Sequence, residues 1–90
     1  MAKVNFTHAL KRFHPDLEPF SVSCGNVKEL IDILENRHPG LKNYIVDEQG
    51  RLRKHVNIFI QQDLIKDRIH LQDRINADDE IYIMQALSGG

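Results

Sequence analysis

The sequence predicts a two-layer α+β domain, with one amphipathic helix laid across a mixed sheet of four to five strands. Three observations carry that expectation. Val27, Leu30, Ile31 and Leu34 recur at the i, i+3, i+4, i+7 spacing of a single helical stripe. Short alternating apolar runs stand near both ends of the chain, at Val4 and Phe6 and again at Ile81 and Ile83. Between them, Leu52 to Gln61 is the strongest strand signal in the chain. A helix stripe and a sheet face each need an apolar partner, and facing one another they close one core. Ninety residues are enough for one such domain.

Taken in order, Lys3 to His8 alternates, with Val4 and Phe6 on one face and Lys3, Asn5 and Thr7 on the other, which reads as a first strand. Ala9 to Leu17 is basic and is then broken at His14-Pro15-Asp16, so it is expected as a loop. Glu18 to Ser23 resumes a strand around Phe20 and Val22, giving a hairpin with a long connection. Cys24-Gly25-Asn26 punctuates the chain, and Asn26 is a good N-cap for the helix that follows. His38-Pro39-Gly40 stops that helix.

Leu41 to Val46 is expected to be irregular, with a short strand near Tyr44-Ile45-Val46, and Asp47-Glu48-Gln49-Gly50 is a turn. Within the central run, Val56, Ile58 and Ile60 point one way and His55, Asn57 and Phe59 the other. Gln62 to Asp79 is polar and irregular, with Ile65, Ile69 and Leu71 expected to pin it to the core through a short strand or helical turn. Ala77-Asp78-Asp79-Glu80 turns into a last strand, Ile81 to Gln85. The first and last strands are expected side by side and parallel in the middle of the sheet, the arrangement of a β-grasp. Residues 1–86 form the domain and 87–90 a flexible tail.

That tail is the most informative stretch. Leu87-Ser88-Gly89-Gly90 is short, uncharged and poor in side chains. At an average glycine usage of about 7%, two in the last two places is roughly a 0.5% coincidence. Glycine lacks Cβ, so the backbone can approach other groups closely, which suits an α-carboxylate threaded into another protein's active site.

Composition narrows the alternatives. A net charge of −1 leaves no nucleic-acid footprint and fits a protein partner better. Cys24 is the single cysteine, so no internal disulfide is expected, and a reducing, cytoplasmic compartment follows. The start lacks the apolar core of a signal peptide, and no stretch reaches membrane-spanning length. His8, His14, His38, His55 and His70 show no tight ligand spacing, so no metal site is expected. Cys24 sits where a helix dipole lowers a thiol pKa, but no Cys/His/Asn signature accompanies it, and a buried structural cysteine is the simpler reading. Lys11, Arg12, Arg51, Arg53 and Lys54 read as solvated loop charges, the last three placed to steer an acidic partner.

Three segments give the chain a family likeness. His55-Val56-Asn57-Ile58-Phe59-Ile60-Gln61 matches a central "VN-hydrophobic-aromatic-hydrophobic-Asn" strand, Ala77-Asp78-Asp79-Glu80-Ile81 a "DGDEV" turn, and Ile83-Met84-Gln85-Ala86-Leu87-Ser88-Gly89-Gly90 an "I-x-P-A-V-A-G-G" ending. On these, and over nearly its whole length, the chain resembles the ubiquitin-like sulfur carriers of the ThiS/MoaD type, most of all those serving cysteine and other thiolated products. It departs from the pattern at Gln85, where proline is usual, at Gln61, where asparagine is common, and at Asp79, where glycine is frequent.

The resemblance implies a carrier with no catalytic residues and no bound cofactor, a protein cosubstrate rather than an enzyme, or the small subunit of a synthase complex. A ubiquitin-activating-enzyme-like adenylyltransferase would use ATP to adenylate the Gly90 carboxylate. A sulfurtransferase or persulfide source would then convert it to a thiocarboxylate, and a downstream synthase would accept the sulfur for molybdopterin, thiamine, cysteine or a specialised metabolite. Gly89, Ser88 and Leu87 would form the threaded tail. Phe59, Tyr82 and Met84, on the sheet face away from the helix, are expected to form the docking patch. Two other function classes stay open: a ubiquitin-like modifier joined through Gly90 to lysines, and a plain β-grasp interaction domain without activation.

Overall fold

The computed structural model describes residues 1–13 and 15–85, with nothing described of the side chains of His8, Ala9 and Phe13. Five strands form one mixed sheet: β1 (Ala2–Phe6), β2 (Phe20–Val22), β3 (Val56–Ile60), β4 (Asp63–Leu64) and β5 (Glu80–Gln85). Their spatial order is β2-β1-β5-β3-β4. The first and last strands pair in parallel at the centre, Val4 opposite Ile81 and Phe6 opposite Ile83, while β1–β2, β3–β5 and β3–β4 are antiparallel. This is the β-grasp arrangement that the two terminal apolar runs predict.

The helix α2 (Val27–Arg37) is the second layer. It starts where it should: the Asn26 side chain accepts a hydrogen bond from the backbone N–H of Glu29 at 2.9 Å, and the Glu29 carboxylate accepts one from the Gly25 N–H at 2.7 Å. The two bonds together satisfy donors that a helix N-terminus leaves open. Val27, Leu30, Ile31 and Leu34 are all buried. They join Val4, Val56, Ile58, Ile81 and Ile83 in one apolar cluster. Burying each such side chain is worth about 1.5–3 kcal/mol, so this seam dominates stability.

Three expectations about the elements themselves require correction. Residues 9–17 are not simply a loop, because α1 (His8–Phe13) occupies their first half. Leu10 and Leu17 are buried, and closing the open end of the core is what makes so short a helix worth forming. The strand expected near Tyr44 is instead the turn of helix α3 (Lys42–Ile45), after which Val46 makes only an isolated bridge to Leu52. Adjacent burial of Ile45 and Val46 fits neither a two-residue nor a clean helical period. The central strand is also shorter than the apolar run, beginning at Val56 and ending where Gln61 takes a left-handed φ of 60°.

The irregular stretch after β4 is pinned by Ile65 and Leu71, as expected, and by Ile75, whereas Ile69 is 59% exposed. Its backbone runs back to the start of α2: the Val27 and Lys28 N–H groups donate to the carbonyls of Asp73 and Leu71, and the Ile75 N–H donates to that of Gly25. No helix among the described residues is long and apolar enough to cross a membrane.

Candidate functional site

Strand β5 carries the chain toward the tail from the most constrained position in the sheet. It is paired on both sides, and its last registered pair is Gln85 with Val56. The Thr7 N–H donates to the Ile83 carbonyl at 3.3 Å, which ties the start of α1 to the same exit. Thr7 Oγ1 and Gln85 Oε1 are buried here with no hydrogen-bond partner among the described residues. Orphaned polar atoms are uncommon inside native proteins, so among the described residues the exit is polar and unsaturated, at the position where the resemblance pattern has proline. Leu87, Ser88, Gly89 and Gly90, the residues on which the tail chemistry was expected, lie outside the described residues.

The sheet face away from α2 carries the other expected site. Phe59 sits opposite Tyr82 on one side and Leu64 on the other, and Asn57 sits opposite Met84. Cross-strand neighbours of this kind share a face and touch, so Leu64, Phe59 and Tyr82 form a continuous row across three strands. Tyr82 is 43%, Met84 39% and Leu64 50% exposed, while Phe59 is half-buried between its neighbours. Phe59, Tyr82 and Met84 are therefore brought together as the strand alternation predicts. Leu64 joins them unforeseen, since a two-residue strand gives no periodic signal.

Polar groups border the row. Asn5, opposite Tyr82 on β1, donates from Nδ2 to Glu80 Oε2 at 2.9 Å and to the Ile81 carbonyl at 3.2 Å. Arg68 reaches in from the 61–79 connection to Asn57 Oδ1 at 3.1 Å. The rest of that connection turns away toward α2, which leaves the apolar row open. An apolar centre with a hydrogen-bonded polar edge is the usual anatomy of a protein–protein contact.

The connection itself is held by two carboxylates. Asp67 accepts from the N–H groups of His70, Ile69 and Gln72, and Asp73 from those of Lys66 and Asp67. The His70 N–H, chief among the donors, draws the Asp67 carboxyl below its ordinary 3.8. A lowered carboxyl pKa contributes order that is complete above the ordinary value and is lost as pH falls through the folded one. Amides 69, 70 and 72, which Asp67 holds, should therefore keep their hydrogen-exchange protection above pH 3.8 and lose it ahead of the β5 amides on further acidification. Asp67→Asn should loosen the same loop at neutral pH.

Cys24 is half-buried against the core, and burial, then the nearby Glu29 carboxylate, push its thiol up. That is the reverse of an activated nucleophile. Among the described residues, no group of three or more His, Cys, Asp or Glu side chains is placed to hold a metal ion.

Against known proteins, a model of the ThiS family matches residues 5–90. No curated protein matches the sequence. Solved structures share the fold. One is a chain of the BexX/CysO complex of Amycolatopsis orientalis, at a TM-score of 0.83 and 22% identity, covering 100% of each chain. Another is CysO of Mycobacterium tuberculosis, described as an antigen, at 0.81 and 21%, covering 97% of this chain and 100% of that one. A third is the small archaeal modifier protein 1 of Methanosarcina acetivorans, at 0.79 and 24%, covering 99% and 95%.

Proposed function

The chain belongs to the ThiS family, and from that premise we propose that it is a ubiquitin-like sulfur carrier whose Gly90 α-carboxylate is activated and converted to a thiocarboxylate. The observation that supports this reading most is that the family match runs through to Gly90. In this reading, residues 1–86 are the handle and 87–90 the tail that enters the partner.

The chemistry asks little of the carrier's own side chains. A carboxylate oxygen of Gly90 attacks the α-phosphorus of ATP in the activating enzyme and expels pyrophosphate, giving an acyl-adenylate. Hydrosulfide adds at the acyl carbon and AMP departs, leaving the thiocarboxylate. A persulfide gives the same product once a second thiol cleaves the intervening S–S bond. ATP belongs to the activating enzyme, and the carrier is its cosubstrate. A biosynthetic enzyme then takes the sulfur. The pairing of BexX with CysO in the similar A. orientalis structure is one precedent for a carrier of this fold held by a partner protein.

Intact-protein mass spectrometry tests the reading. Incubated with ATP, sulfide and a cognate adenylating enzyme, the chain should exchange one oxygen for one sulfur at Gly90. Thiol-selective alkylation separates that product from oxidation at Met84 or Cys24. An unchanged mass across several activating enzymes would overturn the proposal. A second reading, conjugation to lysines, draws on the likeness to a small archaeal modifier protein. Gly90-derived isopeptide adducts on other proteins would favour it.

The apolar row is the surface by which the activating enzyme holds the carrier. Tyr82→Ala and Phe59→Ala should each cost about 1–2 kcal/mol of that contact, or roughly a five- to thirtyfold rise in the KM for the carrier. Because Tyr82 is 43% exposed, its variant should melt like the parent. A Phe59→Ala chain that unfolds, together with a Tyr82→Ala chain that charges normally, would assign the row to the core instead.

A further inference from the structure

Beside Gln85, where β5 hands the chain to the tail, lies an open cleft of about 630 Å³. Arg51, Arg53, Lys54 and Arg68 line it, with Asp47 the single carboxylate in the wall. Four cations against one anion is a local excess, because the chain as a whole carries a net charge of −1. The acids of the sheet gather at its other end: Asp78, Asp79 and Glu80 lead into β5, and Asp63 pairs with Ile60 at the far end of β3. The domain is thus polarised along β5, basic where the tail leaves and acidic where the strand begins.

Two of the cations are held in place by neutral groups. Arg68 donates from Nη2 to the carbonyls of Arg53 at 2.7 Å and Val56 at 2.9 Å, and from Nη1 to Asn57 Oδ1. Arg53 donates from Nε to the Asn43 carbonyl at 2.8 Å. Neither these two nor Lys54 has a carboxylate partner among the described residues. Arg53 and Arg68 are thus fixed in position, and the charge of all three stands uncompensated. The cleft also has an apolar element: Ile69, one of the residues expected in the core, lies 59% exposed in its lining.

We propose that this cleft seats an acidic, partly apolar segment of the protein that receives the tail. The inference rests on the tail reading above and adds the kind of surface the partner presents. A compact anion such as phosphate would need convergent free donors. Arg68 has instead already committed three of its five N–H donors, both of those on Nη2 among them, so it acts more as a fixed charge than as a claw. Spread cations flanking an exposed isoleucine match a chain that alternates carboxylates with apolar side chains. The charge separation along β5 would orient such a partner, drawing its acidic segment to the exit and repelling it from the far end.

The full ¹⁵N-labelled chain can be titrated, by amide NMR, with a short peptide of alternating glutamate and leucine, with inorganic phosphate, and with a short DNA duplex. The peptide should shift amides 51–56 and 68–69. Its affinity should fall about tenfold as salt rises from about 0.1 M to about 1 M, which shortens the screening length from about 10 Å to about 3 Å. Lys54→Glu, at an exposed position, should weaken the peptide by a similar factor, with Lys54→Arg close to the parent. Shifts confined to other surfaces overturn the proposal, as do the same shifts from phosphate or DNA at equal or lower concentration.

In the charging assay, Lys54→Glu should raise the KM for the carrier and leave the maximal rate of sulfur gain unchanged. An unchanged KM in a chain that does gain sulfur overturns the cleft proposal alone. Failure of the parent chain to gain sulfur, with peptide binding intact, overturns the tail reading alone.

Discussion

Removing Gly90 should abolish sulfur gain while leaving the melting temperature where it was. The deleted chain still ends in a glycine carboxylate, that of Gly89. One residue fewer shortens the reach of an extended tail by about 3.3–3.6 Å. Reacting atoms must come within about 3–3.5 Å of each other, and a misplacement of about 1 Å already costs on the order of a hundredfold. A loss of at least about a hundredfold in the rate of adenylation is expected. Stability should not follow, because among the described residues the last registered pair of β5 is at Gln85 and the last residue of the core cluster is Ile83. Intact mass after charging and a thermal melt check the two halves together. Comparable charging of the shortened chain would remove Gly90 from the mechanism, and a large fall in melting temperature would make the terminus structural.

Ile58→Ala should have the opposite signature. Ile58 is fully buried, opposite Ile83, on the face that meets α2. Truncating a buried isoleucine to alanine costs about 2–5 kcal/mol, the larger losses where the surrounding structure cannot collapse into the gap. A domain of this size has about 5–15 kcal/mol in all, so about a third of its stability is at stake at the middle of both ranges. At about 4–8 °C per kcal/mol, the melting temperature should fall by roughly 8–40 °C. Leu64→Ala, one strand away but 50% exposed, should change stability by no more than about 0.5 kcal/mol. If the two variants melt alike, the assignment of inner and outer faces is wrong. Charging of the Ile58→Ala chain, measured below its melting temperature, should stay near the parent, which separates loss of fold from loss of docking.

The pair of sheet faces shows how much was legible before folding. The alternation of Val56, Ile58 and Ile60 against Asn57 and Phe59, and of Ile81 and Ile83 against Tyr82 and Met84, is a period of two that only a strand satisfies. Because β3 and β5 are neighbours, the two outward sets meet, and the candidate docking residues were readable in advance. Leu64 was not. It joins the row only because β4 turns back beside β3, which two residues of sequence do not announce.

The 61–79 connection resisted reading for a different reason. Its three apolar candidates looked equivalent, yet Leu71 is buried and Ile69 is 59% exposed, while Ile75 takes the third buried place. Asp67 and Asp73, each capturing several backbone N–H groups, set which way each residue points. Networks of that kind are specified by the folded backbone and leave no periodic trace.

By itself, then, the sequence determined the class of the protein: the helix with its cap and stripe, the parallel pairing of the first and last strands, and the family pattern ending in Gly89-Gly90. These follow from local periods and from short motifs, which need no neighbours to be expressed. Only the tertiary structure decided α1, α3, the place of Leu64 in the apolar row, and the basic cleft. Six-residue and four-residue helices are too short to hold without packing. Arg51, Arg53 and Lys54 meet Arg68 only when the connection folds back onto the start of β3.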